Sequence, residues 1–119
     1  MKLCDSEWKI MEYLWKEGPL TTMQIYKMAG ESEGWSKSTV ITFLNRMDSK
    51  GSVRYEQKGN SKLYYPLISK EEAELEQTKS FLERFYDGKV GLLINNLVRQ
   101  EELSKEDLDE IHKIIKDGE

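Results

Sequence analysis

One cysteine, Cys4, is all the chain contains, which excludes an internal disulfide and argues against a thiolate metal site. No apolar run is long enough to span a bilayer, and no signal-peptide core follows Met1. A soluble, cytoplasmic protein with no membrane insertion is the expectation. The parts of an enzyme are missing as well: there is no nucleophile–base pairing, no glycine-rich phosphate loop and no metal-ligand cluster. The lone histidine, His112, sits between Ile111 and Lys113 as a plain surface residue. The acidic run Glu71, Glu72, Glu74 and Glu76 reads as a solvated helix face. Neither catalytic residues nor a metal or cofactor are expected.

What is present points elsewhere. The 119 residues, 38% of them hydrophobic, can bury one modest core with a small appendage. A net charge of −4 looks wrong for a nucleic-acid binder until it is divided along the chain. Residues 36–65 carry six basic side chains against two acidic ones, a local +4. The flanks are acidic, at −2 for residues 1–35 and −6 for residues 66–119. The basic charge is concentrated on one segment.

That segment holds the most telling helix. Val40, Phe43, Leu44 and Met47 recur at helical spacing and define an apolar face. Opposite them fall Ser38, Thr42, Asn45 and Ser49, with Ile41 and Arg46 at the edges. A solvated helix usually carries Glu and Lys there, whereas these small hydrogen-bonding groups suit base edges and phosphate oxygens. Ser36 is a good N-cap, Trp35 and Val40 are spaced as a hydrophobic staple, and Gly51 can close the helix in the left-handed conformation. Lys37 lies in the first turn, where the helix dipole disfavours a cation unless a phosphate is near.

The neighbouring elements follow from capping and period. Trp8, Met11, Leu14 and Trp15 mark a first helix from about Asp5 to Lys16, ended by Gly18-Pro19. Thr21 and Gln24 form a capping box for a second, with Ile25, Met28 and Ala29 inward. After Gly51 the period becomes two. Val53 and Tyr55, a turn at Lys58-Gly59-Asn60-Ser61, then Leu63, Tyr65 and Leu67 describe a basic β-hairpin. Tyr65 is expected inward and Tyr64 outward, a choice that rests on strand register.

Three helices and a hairpin make a winged helix-turn-helix over residues 1–68, its third helix suited to the major groove. Residues 69–119 form three more helices, capped at Ser69/Glu72 and Ser104/Asp107 and broken at Gly88. The fold class is mainly α with a small β-hairpin. About fifty residues make too small a core to bury these helices' apolar stripes, so they are expected to form a three-helix dimerisation domain. Its contact residues are taken to be Phe81, Phe85, Leu93, Ile94, Leu97, Val98, Ile111 and Ile115.

Glu7-Trp8, then Trp35-Ser36 ahead of a Thr-rich helix, then Arg46-Met47 and Lys50-Gly51 at its end follow in order along the chain. With Tyr64-Tyr65-Pro66 and Leu103-Ser104, they give a chain that resembles the BlaI/MecI/CopY family of bacterial repressors from about Leu3 onward. The resemblance implies a homodimer bound to double-stranded DNA at an inverted-repeat operator, repressing transcription. In β-lactam-responsive members a membrane sensor protease triggers cleavage within the fifth helix, and the matching peptide here is Asn96-Leu97. The copper-sensing branch is set aside, because the C-terminal region has no Cys-x-Cys. Cys4 stands where similar repressors carry the Thr or Ser cap of the first helix. A thiol caps poorly, so Asp5 or Ser6 is expected to take over.

For DNA contacts, Ser38, Thr39, Ile41 and Thr42 are placed near base edges with Asn45 on the same face, and Lys37, Arg46, Arg54, Lys58 and Lys62 near phosphates. The competing reading is a winged-helix protein-interaction module that does not bind operator DNA. Such a module would show an apolar patch on the third helix, where this chain carries Lys, Ser, Thr, Asn and Arg.

Overall fold

The computed structural model describes residues 3–117, so residues 1, 2, 118 and 119 of the two expected domains lie outside the described residues. In chain order the elements are α1 (Asp5–Glu17), β1 (Leu20–Thr21), α2 (Thr22–Glu33) and α3 (Lys37–Lys50). They continue with β2 (Val53–Lys58), β3 (Ser61–Pro66), α4 (Lys70–Tyr86), α5 (Val90–Arg99) and α6 (Lys105–Asp117). The strands form one antiparallel sheet in the order β1-β3-β2. The fold is a winged helix-turn-helix followed by helices. The chain divides into two compact units between Gln77 and Thr78, inside α4.

Local chemistry sets the ends of the helices. Thr21 Oγ1 accepts from the Gln24 N–H at 3.2 Å while Gln24 Oε1 accepts from the Thr21 N–H at 2.8 Å, a reciprocal cap for α2. Ser36 caps α3 through the Thr39 N–H at 3.2 Å. Gly51 closes the same helix at φ 85°, a left-handed conformation that costs glycine nothing. Cys4, and neither Asp5 nor Ser6, occupies the N-cap of α1, which corrects the expectation. The reason is Glu7, whose carboxylate accepts from the Cys4 N–H at 3.0 Å and completes a capping box in which the thiol faces the Glu7 N–H.

The core of the first unit joins Ile10, Met11 and Leu14 of α1, Ile25 and Ala29 of α2, and Val40, Leu44 and Met47 of α3. Leu20, Val53 and Tyr64 add the sheet, and Ala73 the first part of α4. The aromatic rings ring this core. Trp8 and Trp15 meet edge-on at 5.3 Å, and the Trp15 indole N–H donates to the Ile68 carbonyl at 2.9 Å. Trp35, ahead of α3, packs edge-on against Phe43 at 5.1 Å.

Tyr64 is the buried tyrosine of the hairpin and Tyr65 the half-buried one, the reverse of the alternation read from sequence. Tyr64 pairs with Tyr55 on one side and with Leu20 of β1 on the other. That third strand fixes the register and turns the Val53, Tyr55, Tyr64 face inward. Leu67, expected to share the inward face, is half exposed.

In the second unit, Phe81 stacks near Phe85 at 5.1 Å and Tyr86 at 5.8 Å. Asp87 (φ 50°) and Gly88 (φ 77°) make the left-handed turn that ends α4. Ser104 and Asp107 form a reciprocal cap at the start of α6. No residue of α5 or α6 is buried, and Phe85, Ile114 and Ile115 are each about 60% exposed, at 61%, 63% and 61%.

An ion pair crosses the first unit. The fully buried Glu7 carboxylate takes the Lys50 ammonium at 2.8 Å, joining the start of α1 to the end of α3. Burial pushes the Glu7 pKa up. The Cys4 N–H and the Lys50 ammonium outweigh it and hold the carboxyl below its usual value. Removing Lys50 would leave a buried carboxylate without its cation. Lys50→Ala is therefore expected to cost roughly 2–3 kcal/mol in denaturant unfolding, at the low end for a buried pair because Lys50 keeps solvent contact. The folded pKa lies below the unfolded one, so this stabilisation is complete above the ordinary carboxylate value of about 4.5. It fades as the pH falls through the folded value. Glu7→Gln is expected to flatten the acid limb of the stability curve, and an unchanged limb would show the pair contributes nothing there.

Candidate nucleic-acid interface

The outward side of α3 presents two parallel rows. Lys37, Ile41 and Asn45, four residues apart, fall one above another, and Ser38 and Thr42 make the next row, all five exposed. Thr42 Oγ1 donates to the Ser38 carbonyl at 2.9 Å, which ties its hydroxyl to the helix backbone. Thr39 is drawn into the cap instead, accepting from Ser36 Oγ at 3.0 Å, and is half-buried. Arg46 is exposed, its guanidinium 5.6 Å from the Phe43 ring centre.

A cleft of about 320 Å³ runs between this helix, the start of α2 and the hairpin. The first row lines it entirely, together with Lys62. Five further residues that the sequence reading did not assign to DNA contact line it too: Thr22 and Met23 from α2, and Gln57, Asn60 and Ser61 from the hairpin. Gln57 and Asn60 were within reach of a turn-based argument, being at the hairpin tip. Thr22 and Met23 carry no local signal, since only the fold brings the start of α2 beside α3.

The hairpin divides its charges between two faces. Register places Gln57 opposite Lys62 and Tyr55 opposite Tyr64 on the cleft side. Lys62 lies over the Tyr55 ring at 4.4 Å, a contact that holds the ammonium at the cleft. Gln57 Nε2 donates to the carbonyls of Gly59 at 3.1 Å and Ser61 at 3.3 Å, tying down the tip. Arg54, Glu56, Lys58 and Tyr65 share the other face. There Arg54 bonds Glu56 at 3.1 Å and stacks 4.0 Å from the Tyr65 ring centre, while Lys58 lies 3.8 Å from the same carboxylate. The Arg54 hydrogen bond, with a second from Tyr65, holds the Glu56 carboxyl below its usual pKa. The structure thus brings Lys37, Ile41, Asn45 and Lys62 together and keeps Arg54 and Lys58 apart from them.

Among the described residues no helix is long and apolar enough to cross a membrane.

The sequence model of the penicillinase repressor family matches residues 3–117. The penicillinase repressor of Bacillus licheniformis is 28% identical over 116 residues, covering 98% of this chain and 91% of that one. The methicillin resistance regulatory protein MecI of Staphylococcus aureus is 24% identical over 114 residues, covering 96% and 93%. Among solved structures, the DNA-binding domain of the repressor BlaI superposes with a TM-score of 0.55 at 28% identity, covering 59% of this chain and 90% of that one. Monomeric B. licheniformis BlaI in complex with the blaP half-operator gives 0.53 at 27% identity, covering 59% and 85%.

The separation of charges yields a testable difference. Lys62→Ala is expected to lower the slope of log K against log salt by about one unit in DNA-binding titrations. Arg54→Ala, with its guanidinium committed to Glu56, is expected to change it by less than roughly half a unit. Equal changes would show that both faces of the hairpin meet phosphates.

Proposed function

The chain belongs to the penicillinase repressor family, and we propose that it is a homodimeric transcriptional repressor that occupies an inverted-repeat operator. In this reading the winged domain, residues 1–68 of the sequence-based division, binds double-stranded DNA, and the helices of residues 69–119 hold two copies together. The observation that carries it is the small, polar and cationic outward side of α3 beside the wing, on the one basic segment of an acidic chain. The relative BlaI is described in complex with a half-operator, which supports operator binding by the winged domain here. Ser38, Thr42 and Asn45 suit base edges, and Lys37, Arg46 and Lys62 suit phosphates.

The dimer reading is supported by what α5 and α6 leave uncovered. Their apolar residues form continuous stripes, yet none is buried within one chain. A second copy related by a two-fold axis would cover the stripes and set two recognition helices on two half-sites. Relief by proteolysis at Asn96-Leu97 is part of the proposal. Asn96 is exposed on α5, its amide 3.3 Å from the Tyr86 hydroxyl, and a cut there would divide the stripe Leu93, Ile94, Leu97 and Val98.

The test is titration of DNA from the chain's own promoter region at two salt concentrations, beside a scrambled duplex. Preferential, salt-sensitive binding at two chains per site is expected, and equal binding to both duplexes would sink the operator reading. Phe85→Glu is expected to shift the free protein from dimer to monomer in sedimentation. It should also weaken operator binding by about a hundredfold, through lost avidity. A variant that stays dimeric would move the interface away from Phe85.

A further inference from the structure

Two exposed aliphatic side chains stand in the cleft beside α3, above the buried Tyr64. Met23 is 45% exposed and Ile41 39% exposed, and both line it. Neither belongs to the core, and both stand among groups suited to nucleic acid: Lys37, Asn45, Gln57 and Lys62. We infer that Met23 and Ile41 together read the C5-methyl group of a thymine in the operator half-site, an inference that rests on the operator-binding reading above.

Exposed apolar side chains gain nothing from phosphate or from most base edges. Among base edges in the major groove only thymine offers an apolar group, its methyl. The flanking cations set the electrostatic sign: Lys37 and Lys62 favour a polyanion, so an apolar contact between them has to be found on that polyanion. The row on α3 sets the depth. Ile41 stands one turn from Lys37, which suits a phosphate, and one turn from Asn45, whose amide suits a base edge. Met23 enters the same cleft from α2, and its unbranched thioether can adapt to the methyl from the other side.

The experiment starts from duplexes selected by the full chain out of a random-sequence pool. Each thymine of the enriched half-site is then replaced singly by uracil, which keeps every hydrogen-bonding group and removes only the methyl. At one position or more the wild-type chain is expected to lose about fourfold in affinity, the worth of one buried methyl. Met23→Ala and Ile41→Ala, both at exposed positions and expected to melt like the wild type, should each cut that loss by at least half. Uracil without effect on the wild type would overturn the inference while leaving operator binding intact. A methyl effect that survives either substitution undiminished, or an enriched half-site without thymine, would overturn it as well. A pool that yields no enriched sequence would overturn the operator reading and the inference with it.

Discussion

The orientation of α3 depends on a single carboxylate. Glu7 has no exposed surface, yet one of its oxygens receives both the Cys4 N–H and the Lys50 ammonium. Cys4 and Glu7 belong to the start of α1, and Lys50 is the last residue of α3, so the pair ties two helix ends that lie 43 residues apart in sequence. Lys50 is favourably placed in its own helix, where a cation answers the partial negative charge of the C-terminal carbonyls. Apolar contacts among Val40, Leu44, Met47 and the other helices hold α3 against the core but tolerate small slides along it. A directed, charge-assisted hydrogen bond does not. Together with the Trp35–Phe43 contact near the other end, it fixes the helix at both extremities.

A scaffold fixed in this way allows the wing to be asymmetric. Two faces of one hairpin carry cations, but only one faces α3. On the far side Glu56 absorbs Arg54 and Lys58, while on the near side Lys62 rests on the Tyr55 ring. Net charge on a segment therefore overstates how much of it can serve a phosphate. The strand period decides, because neighbouring residues point to opposite faces. The buried Tyr64 anchors that decision. Its phenol, whose pKa burial raises, lines the cleft, and Tyr64 pairs with Leu20 on one side and Tyr55 on the other.

Local signals made much of this legible in the sequence. The Thr21/Gln24 and Ser104/Asp107 capping boxes, the Ser36 cap and the Gly51 closure each need only residues within a few positions of one another, and all appear as read. The order of helices and hairpin followed. Where the sequence reading failed, a distant partner decided the outcome. β1 has two residues, too few to show a period, yet by pairing with β3 it turned Tyr64 inward and Tyr65 out. Cys4 kept the cap because the Glu7 carboxylate, itself fixed by Lys50, holds the Cys4 N–H. Met23 reached the cleft only through the crossing of α2 and α3, and β1 and α2 lie between the helices that carry the Glu7–Lys50 pair.

The second unit obeys a different logic. Short helices in water are marginal without a partner surface, and α5 spans only ten residues from Val90 to Arg99. Within one chain Leu93, Ile94 and Leu97 are only half-buried, and Val90, Leu92 and Val98 are exposed, as are Ile114 and Ile115 of α6. On the homodimer reading, association is then linked to folding of this unit: a partner that binds only the folded helices stabilises them by mass action. Operator affinity inherits that linkage, because two half-sites contribute avidity only while the copies stay joined. Such a repressor need not lose its DNA-binding face to release the operator. Damage to α5 alone suffices, and the winged unit, with its own core, would survive it as a weak single-site binder.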